Sequence, residues 1–271
     1  MNNLKKFIYA AKAAVLAAAV LMLCGCGAEN YSTVNSDCSL SNEKYGWGFK
    51  KVAGNRPELT EKQISDMEKY GCIYLDTENE KSIYLTFDEG YENGYTAQIL
   101  DTLKKTGVHA AFFVTGPYLK EQGDLVKRMV DEGHTVGNHT VNHPSLPDKS
   151  DEKVREEISG LNDIFLEKFG INMKYFRPPM GEYSERTLKI ASDMGYKNVF
   201  WSFAYRDWEK DNQKGAAHAY SEVTKYLHGG CVMLLHAVSK DNADALEDII
   251  KYAQSMGYVF KTLDEYKGGN I

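Results

Sequence analysis

The sequence lacks the features that mark several large classes of protein. It has five cysteines and six prolines in 271 residues, and its net charge is −6 at pH 7. Five cysteines are too few for a disulfide scaffold in a chain of this length. A pI near 5.7 argues against the basic patch of a general nucleic-acid-binding protein, so we expect no nucleic-acid partner. The length is enough for one barrel-sized domain with a full hydrophobic core.

The N-terminal region has no apolar run long enough to span a bilayer. Residues 13–23 form an apolar segment of about 11 residues, whereas a spanning helix needs ~20. Lys5 and Lys6 precede an alanine-rich run that is broken only by Lys12 and contains this segment, which is typical of an export signal. It ends near Cys26, and the Gly25-Cys26 step resembles the lipobox of bacterial lipoproteins, in which the cysteine is lipidated. The alternative is an uncleaved anchor over 7–23.

These observations predict a chain of four parts. Export and lipidation at Cys26 would place an anchored lipoprotein on the outer side of the cytoplasmic membrane, with the lipid as its membrane contact. A Cys38–Cys72 disulfide is permitted there but not indicated. The parts are a signal peptide (1–26), a flexible Asn- and Ser-rich tether (27–44), an N-terminal extension packed on the main domain (45–78) and the main domain (79–268).

Strand-like and helix-like segments alternate through the main domain, which indicates βαβ units around a parallel sheet. We predict an α/β fold, and prefer a distorted (β/α) barrel of about seven strands to an open sheet. Thr60 is the expected N-cap of a short helix in the extension. The predicted strands are 83–87, 110–114, 135–136, 174–176, 199–202, 232–235 and 258–263. The predicted helices are 60–70, 96–105, 119–132, 152–169, 184–194, 217–227 and 243–256.

Two motifs carry side chains that could bind a metal ion. The strand 83–87 runs directly into Asp88 and Glu89, so two carboxylates lie where the chain leaves the core. His139 and His143 are four residues apart, which predicts that they lie on one side of a helical turn. Two imidazoles and one carboxylate would form an open three-ligand site that leaves a position for water.

Three further motifs carry polar groups at the ends of strands. Arg177 begins the segment RPPMG, whose prolines and glycine restrict the backbone and therefore aim the arginine. An arginine near a carboxylate lowers the pKa of that acid. Asp207 lies in WSFAYRDW, and His236 ends the apolar run of LLH. A histidine at the C-terminal end of such a strand, fixed by an aspartate, could act as a general acid.

Taken together, the five motifs resemble those of the polysaccharide deacetylases, also called NodB-homology or carbohydrate esterase family 4 domains. The resemblance covers about 81–264 and therefore most of the main domain. TFDEG resembles the family's TFDDG, NHTVNHP its H-[ST]-x-x-H, RPPMG its R-x-P-[YF]-G, WSFAYRDW its W-S-x-D-x-x-D-W and LLH its L-x-L-H.

The resemblance implies a zinc-dependent hydrolase that removes acetyl groups from an N-acetylated amino sugar. It implies that Asp88 is the general base, that Arg177 orients it, and that His236, tuned by Asp207, is the acid. The backbone N–H of Met180 would help to bind the oxyanion. The metal ligands would be Glu89, His139 and His143. Two departures stand out, because Glu89 replaces the usual aspartate and Ala204 stands where many members have another.

Segments around the motifs resemble one branch, the delta-lactam-biosynthetic deacetylases. These act on N-acetylmuramic acid in the peptidoglycan glycan strand when the spore cortex is made. The segments are YENGY, SERTL, NVFWSFAYRDW and LLHAVSKDNADAL. Two alternatives stay open at this point. One is a deacetylase of N-acetylglucosamine in peptidoglycan or chito-oligosaccharide. The other is a cell-wall-binding module whose turnover Glu89 has impaired.

Overall fold

The structure is a computed structural model, and it describes residues 40–268. The predicted signal peptide, the lipidation site Cys26, most of the tether and Cys38 lie outside the described residues. Within 40–268, no helix is both long enough and apolar enough to cross a membrane. Cys72 and Cys231 are buried free thiols.

A parallel sheet of seven strands forms the centre of the main domain. Its strands are β4 (Ser82–Glu89), β5 (Ala111–Val114), β6 (Thr135–Asn138), β7 (Tyr175–Phe176), β9 (Lys197–Asn198), β10 (Cys231–His236) and β11 (Val259–Phe260). They lie in the order β10-β4-β5-β6-β7-β9, with β11 paired to the start of β4. Parallel strands place their carboxyl ends at one edge, and all five motifs begin at or near that edge.

The segment that follows β9 closes the curled sheet. The N–H of Ser202 donates to the carbonyl of Val232 at 2.9 Å, and the N–H of Leu234 donates to the carbonyl of Phe203 at 2.9 Å. These bonds join the chain leaving one edge strand to β10, which is the other edge strand. The predicted distorted barrel is therefore confirmed, with irregular pairing after β9 in place of a regular strand over 199–202.

Alternation along β4 separates two hydrophobic clusters. Tyr84 belongs to the cluster that also contains Phe113 and Val232 inside the barrel. Ile83, Leu85 and Phe87 belong to the cluster that packs against the outer helices. Successive side chains of a strand point to opposite faces, so a residue's parity in β4 decides which of the two environments it enters.

The outer helices agree with the predicted ones except at one place. The predicted helix 119–132 is two helices that meet at Gln122, because Gly116 and Pro117 start a first helix early and Gly123 starts the second. The helices are α1 (Glu61–Lys69), α2 (Thr96–Thr106), α3 (Gly116–Glu121), α4 (Gly123–Asp131), α5 (Asp151–Phe169), α6 (Glu185–Asp193), α7 (Ala216–Lys225) and α8 (Lys240–Ser255). Thr60 caps α1 by accepting from the N–H of Gln63, as predicted.

The N-terminal extension contains short strands that the sequence did not indicate. They are β1 (Tyr45–Gly46), β2 (Lys50–Val52) and β3 (Asn55–Glu58). Strand β1 pairs with β8 (Glu182–Tyr183), which directly follows the RPPMG segment. The Trp47 ring packs on Phe200 with ring centroids 4.9 Å apart. The extension thus reaches the edge of the barrel where the motifs lie, while the predicted domain boundaries stay predictions.

Candidate active site

Asp88 and His236 are neighbours across the two longest strands of the barrel. In the parallel pairing of β4 with β10, His236 is the register partner of Asp88. Both side chains line one cavity of about 850 Å³ at the carboxyl edge of the sheet. A carboxylate and an imidazole on adjacent strand ends can serve a single substrate as base and acid. Because the strands pair in register, this arrangement is fixed by the backbone of the barrel.

Arg177 lies beneath the cavity and is fully buried. Its guanidinium donates to Asp88 Oδ1 at 2.6 Å and to Thr86 Oγ1 at 2.9 Å, and its Nε donates to the carbonyl of Val199 at 3.2 Å. The guanidinium carbon lies 4.1 Å from the centroid of the Phe113 ring. These contacts from separate strands hold the arginine in one position, so it can orient the carboxylate of Asp88.

The ion pair keeps Asp88 ionised inside the protein. Burial opposes ionisation of this carboxylate, but the charges of Arg177 and the nearby histidines and the hydrogen bond from Arg177 outweigh that effect. The pKa of Asp88 is therefore held below its ordinary value. An ionised carboxylate with one oxygen held by arginine retains its other oxygen, Oδ2, for a proton.

His139 and His143 lie side by side, with ring centroids 4.7 Å apart. The predicted helical turn is wrong, however, because Thr140 and His143 have positive φ angles of 68° and 55° and the segment forms no helix. The proximity instead comes from an irregular loop after β6. Within the described chain, Met180 is the one other non-glycine residue with positive φ, and it also borders the cavity. Such backbone conformations cost energy and cluster at functional sites.

The orientation of His139 suits a metal ligand. Its Nδ1 lies 2.8 Å from the carbonyl oxygen of Arg177, which can only accept, so Nδ1 carries the proton. Nε2 is then an unprotonated nitrogen, 3.6 Å from Asp88 Oδ2. Burial lowers the pKa of His139 to about 4 and also lowers that of His143, so both imidazoles are neutral, as metal binding requires.

The donor groups fit a metal ion held by two imidazoles. Within residues 40–268, no group of three His, Cys, Asp or Glu side chains is placed to hold a metal. The two histidines and the carboxylate of Asp88 face the cavity together, but Asp88 is already paired with Arg177. His139 and His143 would therefore hold the metal ion, and its remaining coordination positions would be open to solvent or substrate.

His236 is held by a buried network around Asp207. Asp207 Oδ1 lies 2.8 Å from His236 Nδ1, and its Oδ2 accepts from the backbone N–H of His236 at 2.8 Å and from Asn242 Nδ2 at 2.6 Å. Burial lowers the pKa of His236, but the charge and hydrogen bond of Asp207 outweigh burial and raise it above its ordinary value. The carboxylate thus fixes the tautomer and leaves Nε2 for the cavity.

The Met180 loop forms one wall of the cavity. Met180 has a φ of 60° and a half-exposed side chain. Gly181 follows with a φ of 66°, and a Cβ there would lie 2.8 Å from the Trp201 ring, so only glycine fits. Trp47 of the extension donates its backbone N–H to the Gly181 carbonyl at 2.8 Å and its indole N–H to the Trp201 carbonyl at 2.8 Å. The extension therefore holds this loop in place.

Comparison with known proteins places this site in a family. The family described as polysaccharide deacetylase matches residues 76–199. Over 84% of the chain and 87% of the relative, the sequence is 45% identical to the peptidoglycan-N-acetylmuramic acid deacetylase PdaA of Bacillus subtilis. It is 36% identical to a peptidoglycan-N-acetylglucosamine deacetylase of Bacillus cereus, over 69% of the chain and 88% of the relative.

A solved structure of Bacillus subtilis PdaA, described as a family 4 carbohydrate esterase, superposes with a TM-score of 0.82. It covers 84% of this chain and 98% of that one at 45% identity. The chain belongs to the polysaccharide deacetylase family. It is accordingly a polysaccharide N-deacetylase, and the resemblance inferred from the five motifs is confirmed.

Glu89 does not join the other predicted residues of this polysaccharide deacetylase. By strand parity it shares the outer face of β4 with Phe87, and it does not line the cavity. Its side chain is fully buried, and neither carboxylate oxygen has a hydrogen-bond partner. Burial raises the pKa of Glu89 well above its ordinary value, and nearby Glu92 adds to this effect. The structure therefore does not support Glu89 as a metal ligand, the role that the motif resemblance implied.

The other predicted residues surround one cavity or support its walls. Asp88, His139, His143, Met180 and His236 line it. Arg177 and Asp207 lie directly behind Asp88 and His236, respectively. Sequence reasoning missed three supporting residues, which are Trp47, Thr86 and Asn242. Thr86 had a detectable signal, since it shares the strand parity of Asp88. Trp47 and Asn242 act through contacts between distant segments.

Proposed function

We propose that this deacetylase removes the N-acetyl group from N-acetylmuramic acid in peptidoglycan, as a step towards muramic δ-lactam in the spore cortex. The deacetylation chemistry is supported above all by Asp88 and His236, which face one cavity from paired strands. The choice of sugar is supported by the 45% identity to PdaA, whose name states that activity. The glycan strand of the cell wall would be the macromolecular substrate.

Asp88 acts as the general base. Its Oδ1 is held by Arg177, so Oδ2 is the oxygen that accepts a proton from the attacking water. The low pKa of the carboxylate ensures that it is ionised at neutral pH. Thr86, which is on the same strand as Asp88, accepts a hydrogen bond from Arg177. The base and the arginine that orients it are therefore both held by β4. General-base catalysis of this type contributes about 10²–10⁴-fold to a rate.

His236 acts as the general acid. Asp207 holds its Nδ1, so the imidazolium presents Nε2–H to the sugar nitrogen as the C–N bond breaks. The raised pKa of His236 keeps the proton available near neutral pH. Asn242 holds the second oxygen of Asp207 and so preserves the orientation of the pair. Ala204, where many relatives have an aspartate, contributes no charge, and Asp207 alone supports the histidine.

The carbonyl of the acetyl group needs groups that accept its developing negative charge. We propose that the backbone N–H of Met180 is one of them, in a loop shaped by its positive φ and by Gly181. A zinc ion would be held by His139 and His143, and when bound it would act as a Lewis acid towards that carbonyl. Half-exposed Tyr91 and Trp208 at the cavity mouth offer aromatic faces for sugar rings.

We further propose that the enzyme is an exported lipoprotein anchored through Cys26. The support is the apolar segment 13–23 followed by the Gly25-Cys26 step. The catalytic domain would then face the cell wall or, in a sporulating cell, the cortex space. Metabolic labelling with a fatty acid tests this: label should enter the wild-type protein and be lost in Cys26→Ser. Equal labelling of both proteins would contradict it.

Mass spectrometry of muropeptides tests the sugar. Cortex-type peptidoglycan is treated with the purified, zinc-supplemented enzyme, digested and compared with an untreated sample. We expect the loss of acetyl groups on muramic acid residues, with glucosamine residues unchanged. Deacetylation confined to glucosamine would favour the N-acetylglucosamine alternative. Binding to the glycan without loss of any acetyl group would favour the impaired cell-wall-binding module.

A further inference from the structure

The cavity has one cationic side chain at its mouth for which the reaction chemistry gives no role. Among the described residues that line the cavity, Arg206 is the only lysine or arginine. Arg177 is also nearby, but it is buried beneath the cavity floor and its guanidinium is paired with Asp88. Arg206 takes no part in holding either the base or the acid. It therefore needs a different explanation.

The guanidinium of Arg206 is only loosely engaged. Within residues 40–268 it makes no hydrogen bond, and its ion pair with Glu209 is long, with 3.6 Å between Nη1 and Oε1 and the Arg206 side chain 72% exposed. By contrast, the surface residue Arg186 donates to Asn42, Asp151 and two backbone carbonyls. An arginine offers five donors in a planar fork that matches a carboxylate. Arg206 therefore retains N–H donors that can bind a carboxylate.

The backbone of Arg206 is placed firmly beside the general acid. The next residue, Asp207, is buried and bonded to both His236 and Asn242. The residue after it, Trp208, has its ring 5.5 Å from the His236 ring. Although its side chain is exposed, Arg206 therefore starts from a fixed point next to the group that protonates the departing amine. Arg206 and His236 line the same cavity, so a substituent close to the reacting nitrogen of the sugar shares that cavity with the guanidinium.

The sugar proposed above carries an anion at that place. In N-acetylmuramic acid the acetamido group is on C2 and the lactyl ether is on the neighbouring C3, whereas N-acetylglucosamine has a neutral hydroxyl on C3. We propose that Arg206 binds the lactyl carboxylate and thereby selects muramic acid over glucosamine. This inference rests on the proposed function, and it adds the residue that distinguishes the two sugars. It requires a lactyl group whose carboxylate is free rather than joined to a peptide.

Acetate release by the full chain on two matched glycans tests the proposal. One is a peptide-free glycan oligosaccharide that contains N-acetylmuramic acid, and the other is a chito-oligosaccharide of the same length. In Arg206→Gln we expect KM for the muramic substrate to rise about tenfold, with kcat little changed, because a charge-assisted contact with bound substrate is lost. The affinity for the chito-oligosaccharide, measured as its inhibition constant against the muramic substrate, should not change. Arg206→Lys should recover part of the loss.

A nearby lysine supplies the control. Lys210 is exposed and paired with Asp211, and it does not line the cavity. Lys210→Gln removes the same charge and should leave KM for the muramic substrate and the inhibition constant of the chito-oligosaccharide unchanged. Salt should raise KM for the muramic substrate in the wild type more than in Arg206→Gln, since it screens the ionic contact.

The outcomes separate this inference from the function on which it rests. If the wild type deacetylates the muramic substrate and Arg206→Gln leaves its KM unchanged, Arg206 does not read the sugar, while the proposed function stands. An equal loss of affinity for both glycans also overturns the inference, because it indicates a general effect on the cavity. If the wild type releases acetate from the chito-oligosaccharide alone, the proposed sugar fails, and this inference fails with it.

Discussion

Arg177 and Asp88 form a fully internal ion pair, with Nη1 2.6 Å from Oδ1, at the floor of the cavity. The two residues belong to different parts of the sheet. Arg177 directly follows β7, and Asp88 is near the end of β4. The pair therefore ties the catalytic carboxylate to the opposite side of the barrel. It also explains why a buried acid can remain ionised and serve as a base.

Replacing Arg177 by lysine should impair the base in a recognisable way. Lysine retains the charge but cannot contact Asp88, Thr86 and the Val199 carbonyl at once. We expect kcat/KM to fall about 100-fold. The pKa of Asp88 should rise towards its ordinary value, so the acidic limb of the pH profile should move to higher pH. A profile measured with acetate release checks this. A fall in rate with an unmoved acidic limb would contradict the role given to Arg177.

Asp207 should set the alkaline limb of the profile. Its charge raises the pKa of His236, and the acid form of His236 is the active one, so activity is lost as pH rises through that pKa. In Asp207→Asn the pKa should fall, and the alkaline limb should move to lower pH. We expect kcat to decrease about 100-fold near neutral pH. Asn242→Ala should move the limb in the same direction by less, and an unchanged limb in both variants would refute the assignment.

The metal should be retained when Glu89 is changed. Glu89 lies on the outer face of β4, away from His139 and His143. Titration with zinc should give an affinity for Glu89→Gln within a few-fold of the wild type, whereas His143→Ala should bind zinc at least about 100-fold more weakly, because it removes a ligand. A large loss of zinc affinity in Glu89→Gln, with the fold intact by circular dichroism, would restore Glu89 as a ligand.

Trp47 should affect the rate although it belongs to the N-terminal extension. Its two N–H groups hold the Gly181 and Trp201 carbonyls on either side of the Met180 loop. Trp47→Phe keeps an aromatic ring and loses the indole hydrogen bond, and we expect a fall in kcat of about tenfold from a less well-positioned loop. Tyr45→Phe, in the adjacent strand β1, is the control and should have no effect on kcat. Equal rates in all three proteins would mean that the extension does not position the loop.

The barrel and the grouping of the motifs could be predicted because both follow from local patterns. Strands that end in polar motifs bring those motifs to one edge of a parallel sheet, and this rule predicts that Asp88 and His236 lie at the same edge. The face of β4 to which the Glu89 side chain belongs could also be predicted from the sequence. Alternation along β4 assigns it to the face of Phe87, although the motif resemblance pointed the other way.

Other features could not be obtained in this way. The HxxxH spacing fits a helical turn, but His139 and His143 meet in a loop whose positive φ angles depend on surrounding tertiary contacts. Trp47 contacts Trp201 across 154 positions of the chain, and Asn242 contacts Asp207 across 35. No local pattern carries information on such pairs. The signals for export and for lipidation at Cys26 stay predictions, since they lie outside residues 40–268.

Acetate release from peptide-free muramic glycan by the wild type and by Asp88→Asn tests the central claim most directly. Asparagine has nearly the shape of aspartate but cannot take a proton from water. We predict zinc-dependent release by the wild type and a loss of at least about 10³-fold in Asp88→Asn, with zinc affinity and thermal stability retained. Release of acetate by Asp88→Asn at a rate near that of the wild type would contradict the account.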